Sequence, residues 1–187
     1  AIIIDDDADL DEAIKGVLSS AFGYAGQKCS ACSKAIAVGA VYDRLLERLR
    51  DAVKDIRLAP ASDPSAFLGP VIDADAHSRI QRIIEESSVH CQTVLQGGTS
   101  NLLPDGYYIR PTVIAGIPSG HRILRDEIFG PVLAVIQAPD FQEAVALAND
   151  SEYGLTGAVF SRNPRNLDYA RRNFRVGNLY LNRGCTG

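Results

Sequence analysis

The chain has 187 residues and lacks methionine and tryptophan; it contains only three histidines. It also lacks a long hydrophobic run. The longest, residues 131–139, is far shorter than the roughly 20 apolar residues of a membrane-spanning helix. No signal peptide opens the sequence. These absences exclude a membrane-spanning protein and predict a soluble protein inside a cell.

An excess of positive charge is absent as well. The sequence has 19 Lys and Arg against 23 Asp and Glu, a net charge of −4, and its basic residues are scattered. Proteins that bind nucleic acid or anionic membranes present clustered basic residues. We therefore expect neither partner. The length and the hydrophobic share of 46% are typical of one globular domain.

Cysteines are few and irregularly spaced, which argues against a disulfide framework. They stand at positions 29, 32, 91 and 185. A zinc site needs about four ligands, but only one C-x-x-C is present and the histidines are dispersed. We therefore expect no metal. A thioredoxin-like pair would follow a strand and open a helix, whereas this pair follows a predicted helix and precedes a predicted strand.

Short β-branched runs alternate along the chain with amphipathic stretches, which predicts an α/β fold: a three-layer αβα sandwich with helices on both sheet faces. Asp7 or Asp9 is expected to cap the first helix. The predicted strands are 1–4, 33–42, 91–98, 107–117, 131–138, 154–161 and 177–182. The predicted helices are 8–22, 42–58, 74–89, 140–151 and 163–174. The order of the strands in the sheet cannot be predicted from this pattern.

The stretch AFGYAGQKCSACSKAIAV, residues 21–38, contains the C-x-x-C pair. Cys32 precedes a hydrophobic run and is expected to be a small apolar residue of the core. Cys29 follows Gly23 and Gly26, which predict a flexible segment and a close backbone approach to a substrate. A thiolate there could attack a carbonyl while nearby backbone N–H groups hold an oxyanion.

A second stretch, LRDEIFGPVLAVI at residues 124–136, places a glutamate and an aromatic ring before a buried strand. Taken alone, it is an ordinary entry to a strand, with Glu127 solvated and Phe129 in the core.

Taken together, the two stretches are much more specific. GQKC, EIFGPVLAV, EYGLTGAVFSRN and GNLYLNR resemble, in this order, motifs of the NAD(P)-dependent aldehyde dehydrogenases. The ending GNLYLNRGCTG and the stretch AFGYAGQKCSACSKAIA are most similar to the 1-pyrroline-5-carboxylate dehydrogenase group. That group includes one half of the bifunctional enzymes of proline catabolism.

The resemblance implies a role for five residues. Cys29 matches the catalytic thiol, Glu127 the residue that hydrogen-bonds the nicotinamide ribose, and Phe129 the residue beside the nicotinamide. Ser30 and Gly187 match the positions that hold the substrate carboxylate. For Ser30, a loop hydroxyl bonded to its own backbone is an equally ordinary interpretation.

The implied reaction is the NAD-dependent oxidation of glutamate γ-semialdehyde to glutamate through a cysteine thiohemiacetal and thioester. NADP is not excluded as the cofactor. The resemblance further implies a small-molecule aldehyde substrate and a homo-oligomer in the full-length form. It places the enzyme in the bacterial cytoplasm or, in a eukaryote, in the mitochondrial matrix.

The resemblance also implies that residues 1–187 are the cysteine-bearing catalytic domain, cut at both ends and separated from its cofactor domain. The sequence begins without Met on a strand-like run, and no G-x-G-x-x-G or P-loop is present. In the family, the general-base glutamate and the oxyanion-hole asparagine precede such a run. We therefore expect the isolated domain to be inactive.

Three alternatives remain at this point. Another aldehyde dehydrogenase, for example one for succinic semialdehyde, would share every motif above. A thiol hydrolase would use Cys29 without nicotinamide, so that Glu127→Ala would leave its ester cleavage unchanged. A non-catalytic interaction domain would contain an unreactive Cys29.

Overall fold

The computed structural model describes residues 1–99 and 105–186. Within these ranges the chain forms seven strands and five helices. The strands are β1 (Ile2–Ile4), β2 (Lys34–Val38), β3 (Thr93–Gln96), β4 (Thr112–Ala115), β5 (Val132–Ala138), β6 (Thr156–Phe160) and β7 (Asn178–Leu181). The helices are α1 (Leu10–Phe22), α2 (Val41–Lys54), α3 (Ala74–His90), α4 (Phe141–Asn149) and α5 (Pro164–Asn173). Every predicted strand and helix is present in the structure.

The seven strands form one sheet in the order β3-β4-β5-β2-β1-β6-β7. All neighbouring strands are parallel except β3 and β4, which are antiparallel. In the centre, Ile2 of β1 is paired with Ala35 of β2 on one side and with Ala158 of β6 on the other. Such parallel strands are hydrophobic throughout because helices cover both faces of the sheet.

The side chains of β1 show how the sheet divides the core. Ile2 and Ile4 belong to the apolar cluster that also contains residues of α1, α2 and α3. Ile3 belongs to the opposite cluster, formed with residues of α4 and α5. Since successive strand residues point to opposite faces, helices must lie on both sides. The predicted three-layer αβα sandwich is confirmed.

Aspartate side chains begin three of the helices. Asp9 accepts hydrogen bonds from the backbone N–H groups of Asp11 and Glu12 at the start of α1. Asp73 and Asp140 cap α3 and α4 in the same way. Each cap satisfies backbone donors that lack a helical partner, and a single cap contributes about 1 kcal/mol to stability.

Among the described helices, none is both long and apolar enough to cross a membrane.

The two ends of the parallel strands differ in what they carry. The segments that enter β2, β5, β6 and β7 all meet at the amino edge of the sheet, because these strands run in the same direction. The cysteine loop enters β2, and the Glu127–Phe129 segment enters β5, the next strand in the sheet. Two motifs that are distant in sequence are thereby brought to one edge.

Candidate active site

A pocket of about 210 Å³ opens at the amino edge of the sheet. Cys29, Glu127 and Phe129 all line it, together with residues from the segments that enter β6 and β7. Three of the five predicted site residues therefore share one cavity.

Cys29 lies in a tight turn. The N–H of Ala31 donates to the carbonyl of Lys28 over 2.9 Å, so that Cys29 and Ser30 are the two central residues. Cys29 is exposed, whereas Cys32 is 1% exposed. Among the described residues, neither the Cys29 thiol nor its backbone N–H has a hydrogen-bond partner. The thiol and the amide are both free to meet a substrate.

The chain reaches this turn through three successive residues in the left-handed region, with φ of 54° at Tyr24, 56° at Ala25 and 68° at Gly26. Only glycine adopts this conformation without cost, and another residue loses about 1–2 kcal/mol. Gly23, by contrast, has φ of −54°, which any residue adopts. The predicted backbone freedom of glycine is therefore needed at Gly26 but not at Gly23. Tyr24 and Ala25 adopt the same left-handed conformation with side chains present, which makes them strained.

The cysteine loop and the Glu127–Phe129 segment are in direct backbone contact. A Cβ atom on Gly26 would lie 2.2 Å from the carbonyl oxygen of Gly130. Gly130 in turn lies against the side chain of Ile80 in α3, which a Cβ at this position would meet at 2.5 Å. Backbone atoms exclude a side chain at Gly26, and Ile80 would have to move to admit one at Gly130. The cysteine loop and the Glu127–Phe129 segment are therefore packed directly against each other.

Helix α3 and the residues before it anchor both segments. The backbone N–H of Ile72 donates to the Gln27 side-chain oxygen over 2.9 Å. The Arg79 guanidinium donates to the carbonyl of Ile128. Gln27, two positions before Cys29, therefore ties the cysteine loop to the residues that precede α3.

Glu127 and Phe129 are exposed on either side of Ile128, which is 5% exposed and packs in the core. Phe129 has φ of 52°, an outlier for a bulky residue, and it is 37% exposed. The ordinary alternative, with Phe129 in the core, is wrong. The Glu127 carboxylate has no hydrogen-bond partner within the ranges that the structure describes. Both side chains are available to a ligand.

Burial sets the electrostatics of the pocket wall. The Lys34 side chain lines the pocket, is 6% exposed, and donates to the carbonyl of Asp150 over 3.4 Å. Its burial lowers the pKa of the ammonium. The neighbouring thiol of Cys185, together with burial, raises the pKa of Cys32 well above its ordinary value. Cys32 is therefore a poor nucleophile, in agreement with its predicted place in the core.

Neither of the two predicted carboxylate-binding residues is among the described residues that line the pocket. Ser30 follows Cys29 directly but does not line the pocket; its carbonyl oxygen accepts a hydrogen bond from Thr156. Gly187 lies outside the described residues. Their role in substrate binding stays a prediction. Sequence reasoning missed Thr156 and Lys34 as pocket residues, because no local pattern reveals which strand ends meet.

The profile of the aldehyde dehydrogenase family matches residues 1–187, the whole chain. The chain belongs to the aldehyde dehydrogenase family. This membership confirms the resemblance inferred from the two motifs.

Relatives within the aldehyde dehydrogenase family include enzymes named 1-pyrroline-5-carboxylate dehydrogenase. The protein of that name from Geobacillus sp. strain WCH70 is 47% identical over 186 residues, which are 100% of this chain and 36% of the relative. The crystal structure of the Thermus enzyme with bound NAD is 45% identical, with a TM-score of 0.92 over 99% of this chain and 35% of that one. Proline utilization A from Bdellovibrio bacteriovorus is 46% identical, with a TM-score of 0.94 over 100% of this chain and 19% of that one. The chain thus spans about a third of the length of its curated relatives.

Proposed function

We propose that residues 1–187 form the cysteine-bearing domain of an NAD-dependent dehydrogenase that oxidises glutamate γ-semialdehyde, derived from 1-pyrroline-5-carboxylate, to glutamate in proline catabolism. One observation carries the proposal: an exposed thiol and an exposed carboxylate, on two loops held together by Gly26 and Gly130, line the same pocket. The names of the most similar relatives support the choice of substrate.

In the first step, the Cys29 thiolate attacks the aldehyde carbon, and the new C–S bond moves a pair of electrons onto the carbonyl oxygen. The free backbone N–H of Cys29 is in the turn that carries the thiol, so it can donate to this oxyanion. Formation of a thiohemiacetal is thus supported by the thiol and the amide of one residue.

Two further residues of the pocket lining fit a nicotinamide nucleotide. The exposed carboxylate of Glu127 can accept hydrogen bonds from the two hydroxyls of a ribose, and the exposed ring of Phe129 offers an apolar face to a flat base. The chemistry that a bound NAD supplies is the uptake of hydride from the thiohemiacetal carbon. Glu127 and Phe129 would orient the cofactor, and the resulting thioester on Cys29 is then hydrolysed to the carboxylate.

The remaining parts of the proposal concern the whole protein. Ser30 and Gly187 are proposed to hold the substrate carboxylate, and the general base, the oxyanion amide and most cofactor contacts to come from the rest of the enzyme. The domain alone should therefore have negligible dehydrogenase turnover. We further propose that the full-length protein is a homo-oligomer, located in the cytoplasm of a bacterium or in the mitochondrial matrix of a eukaryote.

The test uses the full-length protein that contains this chain, assayed with NAD against a panel of aldehydes. Glutamate γ-semialdehyde should give the highest kcat/KM by a wide margin, and Glu127→Ala should raise the KM for NAD. Preference for succinic semialdehyde would overturn the substrate assignment. Cleavage of activated esters without any NAD-dependent oxidation, and unchanged in Glu127→Ala, would identify a thiol hydrolase instead.

A further inference from the structure

We infer that Thr156 is a positioning residue for the Cys29 nucleophile, which it reaches through the backbone carbonyl of Ser30. The inference rests on the proposed function in one respect, that Cys29 is the reactive thiol. Thr156 itself need not touch substrate or cofactor.

The contact is long-range and specific. The Thr156 hydroxyl donates to the carbonyl oxygen of Ser30 over 3.2 Å, across 126 positions of sequence. Thr156 is the first residue of β6, at the amino edge of the sheet, and it lines the pocket. The sulfur of Cys185 lies 3.4 Å from the same carbonyl oxygen. The sheet therefore holds the carbonyl of the residue that follows the nucleophile.

This contact fixes the side of the turn that faces the sheet. The Ser30 carbonyl belongs to the second central residue of the turn, and the N–H of the next residue, Ala31, already closes the turn on Lys28. One residue further on, the N–H of Cys32 donates to the carbonyl of Ser20. With the Ser30 carbonyl held by β6 as well, the turn keeps one orientation, in which the Cys29 thiol faces the pocket.

Threonine suits this role because its branched Cβ restricts χ1, which keeps the hydroxyl directed at one acceptor. Valine has the same shape without the donor, and serine keeps the donor without the methyl group. The chain also offers a matched control. Thr112 in β4 is buried, donates to the carbonyl of Arg110 over 2.9 Å, and does not line the pocket.

The experiment compares Thr156→Val, Thr156→Ser and Thr112→Val in the full-length protein. Three quantities are measured: the rate at which iodoacetamide alkylates Cys29 at neutral pH, mapped by peptide mass, and the kcat and KM for the aldehyde. For Thr156→Val we expect kcat to fall about tenfold, because the hydrogen bond that orients the Cys29 turn is lost. The KM should stay within about twofold of the unmodified protein. Alkylation of Cys29 should slow about threefold or more as the thiol leaves its fixed position. Thr156→Ser should restore most of both.

Several outcomes would overturn the inference. One is a Thr156→Val protein with kcat and alkylation rate within about twofold of the unmodified protein. Another is Thr112→Val reproducing both losses, which would mean that they reflect general destabilisation. Should Thr156→Val fail to fold, Thr156→Ala removes the same donor from a smaller side chain, and the same criteria apply to it.

The alkylation measurement separates this inference from the proposed function. If the unmodified protein oxidises no aldehyde but Thr156→Val still slows Cys29 alkylation, the proposed function falls and the positioning role stands. If the protein oxidises glutamate γ-semialdehyde but Thr156→Val behaves like the unmodified protein, the positioning role falls alone.

Discussion

The two ends of the central strands carry polar residues in opposite states. At the carboxyl end, Asp5 follows β1 and is 1% exposed; its carboxylate accepts hydrogen bonds from Ser161 over 2.6 Å and from Asn166 over 2.7 Å. At the amino end, Cys29 and Glu127 are exposed, and among the described residues neither side chain has a hydrogen-bond partner. One end is closed by its own side chains, and the other is open to a ligand.

The comparison teaches that satisfied polar groups close a sheet edge, whereas unsatisfied ones mark a site. In open α/β sheets, ligands usually bind outside the carboxyl ends of the strands. Here Asp5, Ser161 and Asn166 at the carboxyl end are paired with one another, and the pocket lined by Cys29 and Glu127 lies at the amino end. The general rule for strand ends points to the edge opposite this pocket.

The largest expected effect separates the two ends by activity. Cys29→Ala in the full-length protein should lower kcat on the order of 10³-fold or more, because it removes the proposed nucleophile. Ser161→Ala, at the carboxyl end, should leave kcat per folded molecule unchanged, since Ser161 bonds only within the closed network. Steady-state kinetics with active protein counted by folded fraction checks both. Retention of activity in Cys29→Ala would contradict the assignment of the reactive group to the amino end of the strands.

Glycine substitutions at the two ends should differ in stability. Gly26→Ala should lower the free energy of unfolding by about 3 kcal/mol, because the new Cβ meets the Gly130 backbone. Gly39, after β2 at the carboxyl end, has a similar φ of 57° but nothing within 4 Å of a new Cβ. Gly39→Ala should therefore cost only about 1 kcal/mol, from the backbone conformation. Urea denaturation measures both, and equal losses would contradict the proposed contact.

Loss of the buried carboxylate should destabilise the fold without touching the pocket. Asp5→Ala removes the acceptor of three hydrogen bonds, from Ser161, Asn166 and the backbone N–H of Asp6, and should lower the free energy of unfolding by about 2 kcal/mol. Asp6→Ala, at the exposed neighbouring position, is the matched control and should change stability by less than about 0.5 kcal/mol. The alkylation rate of Cys29 should be the same in both variants. Slower alkylation of Cys29 in Asp5→Ala would contradict this expectation and show that the two ends of the strands are energetically coupled.

The smallest effect concerns pH. Burial lowers the pKa of Lys34, so between that lowered pKa and the ordinary 10.5 the unfolded chain binds more protons than the folded one. Stability contributed by this group therefore rises with pH across that interval. Lys34→Met should remove the rise in urea denaturation measured over an alkaline pH series.

Lys15 provides a control of opposite sign for that series. Its hydrogen bond to Glu12 raises its pKa, so its contribution is lost as pH rises through the folded-state pKa. Lys15→Met should remove a fall rather than a rise. The same pH response in both variants would contradict the assignment for Lys34.

Local chemistry explains which parts of this fold could be predicted from sequence. The sequence predicted Asp7 or Asp9 as the cap of α1, and the structure shows Asp9 in this role. A carboxylate at this position can be predicted because it satisfies the first free N–H groups of the helix. The apolar residues Leu45, Leu49 and Val53 recur at helical spacing and are buried in α2. Such signals extend over a few residues, so element types were predicted correctly.

The site required information that no local signal contains. The hydrogen bond from Thr156 to Ser30 joins two strand entries whose proximity depends on strand order, which the pattern leaves open. The left-handed conformations of Tyr24 and Ala25 fall on residues without a turn signature, so no local pattern predicts them. Cys29, Glu127 and Phe129 were found through family resemblance, and their shared pocket was not predictable from spacing.

The place of β1 between β2 and β6 has a consequence for protein synthesis. Ile2 acquires its partner Ala35 early, but its other partner, Ala158, leaves the ribosome only after most of this chain has been made. At 5–20 residues per second, translation leaves that side of the strand without its neighbour for roughly ten to thirty seconds. During this interval an edge of three isoleucines remains unpaired in the nascent chain, the situation in which chaperones bind. The pairing of β1 with β6, near the centre of the finished sheet, is therefore among the last strand pairings that translation makes possible.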